Sequence, residues 1–190
     1  MNSILLDFKK IISFASFIVG LSATGQIWAQ ECKISLSDPT VDFGQIIPLN
    51  SNDALKPGAQ QVIGRRVIGL HASCPRPTKL LLTLNGASSN NTFKFSRNGK
   101  VHVRLSSALL DGRAVELAQY QLGTVIHGTS DHSIEVQPDD VVIPISAGLP
   151  AVGSVLSVQV EIEPSVPSAD LRTHDATYLE ASLSFHIKSY

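Results

Sequence analysis

Two cysteines, Cys32 and Cys74, constrain this 190-residue chain more than any other feature. Each sits in a segment whose apolar residues recur at every second position. Ile34 and Leu36 share the parity of Cys32, and Ile68, Leu70 and Ala72 share that of Cys74. In an extended strand, residues two apart lie on one face. Both sulfurs are therefore expected to point inward with their apolar neighbours, as a buried inter-strand disulfide requires. Two cysteines allow a single intramolecular pairing. The loop it would close is about 42 residues long, for which the chain-entropy treatment gives about 4 kcal/mol of stabilisation, less any strain. The competing reading is two unrelated buried thiols, which suits a reducing compartment rather than an oxidising one.

The first 29 residues speak to the compartment. Lys9 and Lys10 form a basic start, Ile11 to Gly20 is uncharged and mostly apolar, and Ala29 is a small residue at the expected cleavage point. This is the pattern of a secretory leader, to be left out of fold reasoning. The rival is a membrane anchor, but the apolar stretch is shorter than the roughly 20 residues a spanning helix needs. Gln30 and Glu31 are not the small residues that would precede a lipid-modified Cys32. The reading is thus a signal peptide over 1–29 and one exported domain over 30–190, without an integral membrane span once the leader is cut. A net charge of −1 and the lack of a basic run give no support for nucleic-acid binding.

After residue 30 the dominant period is two, the period of strands. Lys79 to Asn85 is apolar. Phe93 and Phe95 alternate with polar residues, and Val101, Val103 and Leu105 follow on the far side of an Asn98-Gly99 turn. Asn85-Gly86 and Asp111-Gly112 are further turn signals. Ile134 and Val136 alternate, Val141 to Ile145 is apolar, and Leu156, Val158, Val160 and Ile162 alternate again. The last strand is expected to carry Leu179, Ala181, Leu183, Phe185 and Ile187 on one face. Pro144 suggests an edge strand or a bulge, and Pro75-Arg76-Pro77 a rigid exit from a strand. Ser106 to Leu110 has room for one turn of helix. Ser165 to Thr177 reads as a long connection. Short strands separated by turns indicate an all-β sandwich.

Four features in order carry a resemblance. They are the leader, the Cys32…Val41-Asp42-Phe43-Gly44 segment, Cys74 about 40 residues on, and an alternating final strand that ends at the aromatic Tyr190. The chain resembles fimbrial (pilus) subunits of the bacterial chaperone–usher type. The stretch Leu110 to Leu117 is similar to a fimbrial-like branch known as a domain of unknown function. The resemblance implies an immunoglobulin-like (pilin-like) β-sandwich that is incomplete, lacking its last strand. It implies assembly by donor-strand complementation with a periplasmic pilus chaperone, an outer-membrane usher and other fimbrial subunits. It also implies transit through the periplasm to a fimbrium at the cell surface, where the subunit supports adhesion. The residues implied to pair with a lent strand are those of the C-terminal strand: Leu179, Ala181, Leu183, Phe185, Ile187 and Tyr190. This chain departs from the pattern twice. Only Gln30 and Glu31 would separate the leader from Cys32, which suits a minor or tip subunit that accepts a strand without giving one. Tyr190 is out of phase with Phe185 and Ile187, so either a bulge restores it or it faces solvent.

Other residues yield no enzyme constellation and no cofactor site. Asp131-His132-Ser133 sets three triad residue types side by side, but a triad is assembled from distant parts of a fold. His127 and His132 lack the convergence of three or four ligands that a metal needs. Asp139-Asp140 reads as a turn rather than a calcium site, and Gly64-Arg65-Arg66 as a solvated strand end rather than an anion contact. The alternative function is a single-domain exported adhesin or periplasmic binding module with a complete sandwich. The only tryptophan, Trp28, falls in the leader. Aromatic platforms for sugars are therefore scarce, which favours the fimbrial reading.

Overall fold

The computed structural model describes residues 31–47, 56, 58–121, 130–172 and 178–190. The expected leader and His127 lie outside these. Thirteen strands are present among the described residues, all paired antiparallel. In chain order they begin with β1 (Lys33–Leu36), β2 (Gln60–Val62), β3 (Arg66–Gly86), β4 (Ser88–Ser89) and β5 (Thr92–Phe95). The middle of the chain forms β6 (Gly99–Leu110), β7 (Arg113–Ala114), β8 (Glu116–Gln121) and β9 (Ser133–Val136). Then come β10 (Asp140–Ser146), β11 (Leu149–Pro150), β12 (Val152–Pro167) and β13 (Leu183–Ser189). A 3-10 turn over Ser168–Leu171 follows β12. The all-β, sandwich-like fold expected from the period-two pattern is what the chain adopts.

β3 organises the two layers. Its 21 residues span about 70 Å when extended, far beyond the reach of a typical strand. The first half pairs β1 on one edge and β12 on the other, with Lys33 and Val155 both opposite Ser73. The second half pairs β13 and β10, with Ile187 and Val142 both opposite Leu82. Thus β1 and β13 follow one another along the same edge of β3. One layer continues from β12 through β6 to β5 and β4, and the other from β10 to β8.

Pro75-Arg76-Pro77 marks the passage between layers. The expectation of a strand exit is corrected: the chain stays extended, while the ladders on both edges of β3 pause here, the one with β12 and, on the other edge, between the last pair with β1 and the first with β13. The register with β12 jumps between Gly153 and Val155, leaving residues 74–77 of β3 without partners on that edge. The backbone N–H of Ser154, left without a ladder partner, donates to the Asp111 carboxylate at 3.1 Å, and that of Val155 does so at 2.8 Å. Gly153 is required here, since a Cβ would fall 2.5 Å from Leu110.

Alternation places the core. Ile68, Leu70, Ala72 and Cys74 of β3 are buried, as are Val101, Val103 and Leu105 of β6 and Leu156, Val158 and Val160 of β12. Cys32 and Cys74 are bonded, with Cα atoms 4.2 Å apart, as their shared inward parity requires. Asp111 and Gly112, at φ 49° and 78°, form the expected two-residue hairpin between β6 and β7.

Three local expectations are overturned. Ser106 to Leu110 is not helical. It stays within β6, and Ser107 at φ 52° takes up the extra residue of a bulge against β12. Asn85-Gly86 is not a turn but the end of β3. The reversal comes instead at Asn90-Asn91, both at positive φ, between β4 and β5. Finally, Leu179 and Ala181 precede the last strand rather than belonging to it. β3 ends at Gly86, which pairs with Leu183, so no β3 residue remains for them. Pro144 sits within β10 opposite Leu117. Its carbonyl accepts from Ala151 N–H at 2.9 Å, which turns its donorless nitrogen to the side where pairing with β3 has already ended.

Candidate functional site

The two flanks of the sandwich differ. At the β8–β9 flank the layers are laced together: Leu117 and Asp131 exchange backbone hydrogen bonds of 2.8 and 3.0 Å. At the β1–β13 flank no ladder joins the layers among the described residues. β13 pairs with β3 alone.

The register shows which groups this leaves open. Tyr190 N–H donates to Lys79 C=O at 3.1 Å, continuing the ladder in which His186 faces Thr83 and Ser184 faces Asn85. In an antiparallel pair, alternate residues turn both backbone polar groups towards the same neighbour. Ser184, His186 and Lys188 therefore face β3. The N–H and C=O groups of Leu183, Phe185, Ile187 and Ser189 face outward, and no described strand receives them. The side chains of Leu183, Phe185 and Ile187 are half-buried against the core.

Beside this edge lies a groove of about 430 Å³. Its floor includes Ile68, Phe95, Val101 and Ile162. One lip is the end of β1 and the segment after it, where Leu36, Val41 and Phe43 line the groove; the other is Leu179 to Leu183, with Phe185. Local chemistry shapes the first lip. Asp38 accepts from Thr40 N–H at 3.1 Å and Asp42 from Gly44 N–H at 2.7 Å. Such side-chain turns let the chain bend without a ladder, and Gly44 supplies φ 71°. Arg66 stacks 5.7 Å above the Phe43 ring. The second lip is anchored by Ser96 N–H donating to Glu180 C=O at 2.8 Å.

Of the residues singled out in the sequence, Leu179, Ala181, Leu183 and Phe185 line this groove, although Ala181 is itself exposed. Ile187 packs on the core further along β13. Tyr190 does not line the groove. No bulge shifts its phase, and it lies 53% exposed with Lys79 Nζ 5.6 Å from its ring. Partial burial pushes its phenol above the ordinary tyrosine value, with a smaller contribution from Tyr120. The contribution of Val41 and Phe43 went unassigned in the sequence reading. Their shared parity, following Leu36 after a gap, was the available signal.

The remaining candidates are local. Arg65 bonds Glu163 at 2.6 Å and lies 3.5 Å from Glu161, and that pairing raises its pKa. His132 N–H donates to the Asp131 carboxylate at 2.6 Å, a contact between adjacent residues, and Ser133 pairs with Ser106 in the sheet. Asp140 is buried, and its Oδ2 accepts from Gln119 and from Gln137 N–H, holding the turn before β10. Among the described residues no group of three or more His, Cys, Asp or Glu is placed to hold a metal ion. No helix among them is long and apolar enough to cross a membrane. No protein-family model matches the chain, and no curated protein matches it.

Proposed function

We propose that this protein is a strand-accepting structural subunit of a chaperone–usher fimbria. One observation carries the reading: among the described residues no strand pairs the outer backbone edge of the last strand, which lies directly beside an open groove with an apolar floor. Strand addition requires both parts. Outward N–H and C=O groups supply hydrogen bonds, and a groove at the same edge receives alternate side chains. An edge of this kind is also an aggregation hazard unless something covers it. In the proposed pathway a periplasmic pilus chaperone lends the first strand, and a neighbouring subunit replaces it at the outer-membrane usher. The subunit then rests in a fimbrium at the cell surface and supports adhesion. The disulfide, which joins β1 to its ladder neighbour β3, fits an oxidising route.

The test is expression in a bacterial periplasm with and without a pilus chaperone. The reading expects a stable one-to-one complex with the chaperone, and aggregation or proteolysis in its absence. A soluble monomer that melts cooperatively without any partner would contradict it and would favour a self-sufficient binding module.

A further inference from the structure

The lips of the groove are acidic on both sides. Asp38 and Asp42 line one lip and Glu180 the other, and no lysine, arginine or histidine is among the described lining residues. Asp38 and Asp42 each use Oδ1 to accept a local backbone N–H. Among the described residues, no hydrogen bond occupies their Oδ2 atoms or the Glu180 side chain. Arg66, stacked on Phe43, does not line the cavity. Among the described residues, three carboxylates thus flank a trough with an apolar floor, and no cation lines it.

We propose that the groove selects an extended segment of a second polypeptide that carries a lysine or arginine where it crosses this acidic mouth. The proposal rests on the strand-accepting reading and deepens it by naming the chemistry of the occupant. The exposed backbone of Leu183, Phe185 and Ile187 requires an extended chain, and the apolar floor requires alternate apolar side chains. The mouth adds a sign. A basic side chain on the incoming strand meets carboxylates from both lips. An acidic one meets only like charge, beside a floor from which water has been displaced and where the local dielectric is lowered. Strands of equal hydrophobicity are then sorted by charge, a matter of partner choice more than of raw affinity.

The probes are capped nine-residue peptides alternating valine with threonine. One threonine at a time, walked along the peptide, is replaced by lysine, glutamine or glutamate. Binding to the exported chain is followed by fluorescence anisotropy. At the position that crosses the mouth, the lysine peptide is expected to bind about three- to tenfold more tightly than the glutamate peptide, with glutamine between them. The gap should close at about 1 M salt, where the Debye length is about 3 Å. Glu180→Gln should narrow the gap and Glu180→Lys should narrow it further or invert it; Asp38→Lys repeats the reversal from the opposite lip. Equal binding of all three peptides at every position would overturn charge selection while leaving strand acceptance intact. Binding by none of them would overturn both.

Discussion

β12 and β13 carry the same alternation of apolar and polar residues and end in different surroundings. β12 runs between β3 and β6, and its inward Leu156 and Val160 are 0% exposed. Among the described residues β13 has β3 on one edge only, and its inward Leu183, Phe185 and Ile187 stay half-buried. Period-two patterning decides which face a residue takes. It does not decide how many neighbours the strand has, and burial depends on both. The partial exposure of three large apolar side chains in a row is what an edge strand with one described neighbour retains.

The comparison can be broken most forcefully at the disulfide, which holds β1 on the open flank. Replacing both cysteines, Cys32→Ser with Cys74→Ser, is expected to lower unfolding stability by about 4 kcal/mol, as read by urea denaturation of the purified chain. A loss below about 1 kcal/mol would mean that the open flank is held by other contacts.

Next come the inward side chains. Leu156→Ala empties a fully buried site and should cost about 3 kcal/mol, within the range for leucine truncation in cores. Phe185→Ala removes a larger side chain but from a half-buried position, and about 1–2 kcal/mol is expected. The order is the test. If the β13 variant proves the more damaging, the edge strand is buried more deeply than this account holds. With a peptide bound in the groove at 100 times its dissociation constant, stability should rise by about 2.7 kcal/mol. Phe185→Ala should lose much of that gain, whereas Leu156→Ala should keep it.

A smaller effect sharpens the account of the β12 irregularity. Asp111→Ala deprives the N–H groups of Ser154 and Val155 of their acceptor and is expected to cost about 1–2 kcal/mol. Asp111→Asn keeps an acceptor oxygen and tolerates the positive φ, so it should cost less. Equal losses would show that the carboxylate does not hold the bulge.

Much of the fold was legible in the sequence, because period-two patterning and cysteine parity are local signals. The inward faces of β3, β6 and β12 followed from them, as did the disulfide and the Asp111-Gly112 hairpin. What escaped was set at longer range. Asn85-Gly86 has turn chemistry, yet Gly86 lies in a ladder where Leu183 Cδ2 would sit 2.7 Å from an added Cβ. Its glycine answers to packing, not to φ. Leu179 and Ala181 keep the parity of the last strand but have no β3 residue to pair with, a limit fixed by where β3 ends. The passage of β3 through both layers is invisible locally, since Pro75-Arg76-Pro77 reads as a break until β12 is laid against it. The groove was expected only through the resemblance. Its acidic mouth could not have been assembled from the sequence, because Asp38 and Asp42 meet Glu180 only in the folded chain.

The most direct measurement is residue-resolved amide hydrogen exchange on the folded chain without a partner. If the outer edge of β13 is unpaired, the amides of Leu183, Phe185 and Ile187 exchange rapidly, while those of Ser184, His186 and Lys188, turned to β3, are protected. In β12, the amides of Gln159 to Ile162 are protected at both parities, because a strand lies on either side. Uniform protection along β13 would mean that its outer edge is already covered, and would contradict the proposal that this edge waits for a strand.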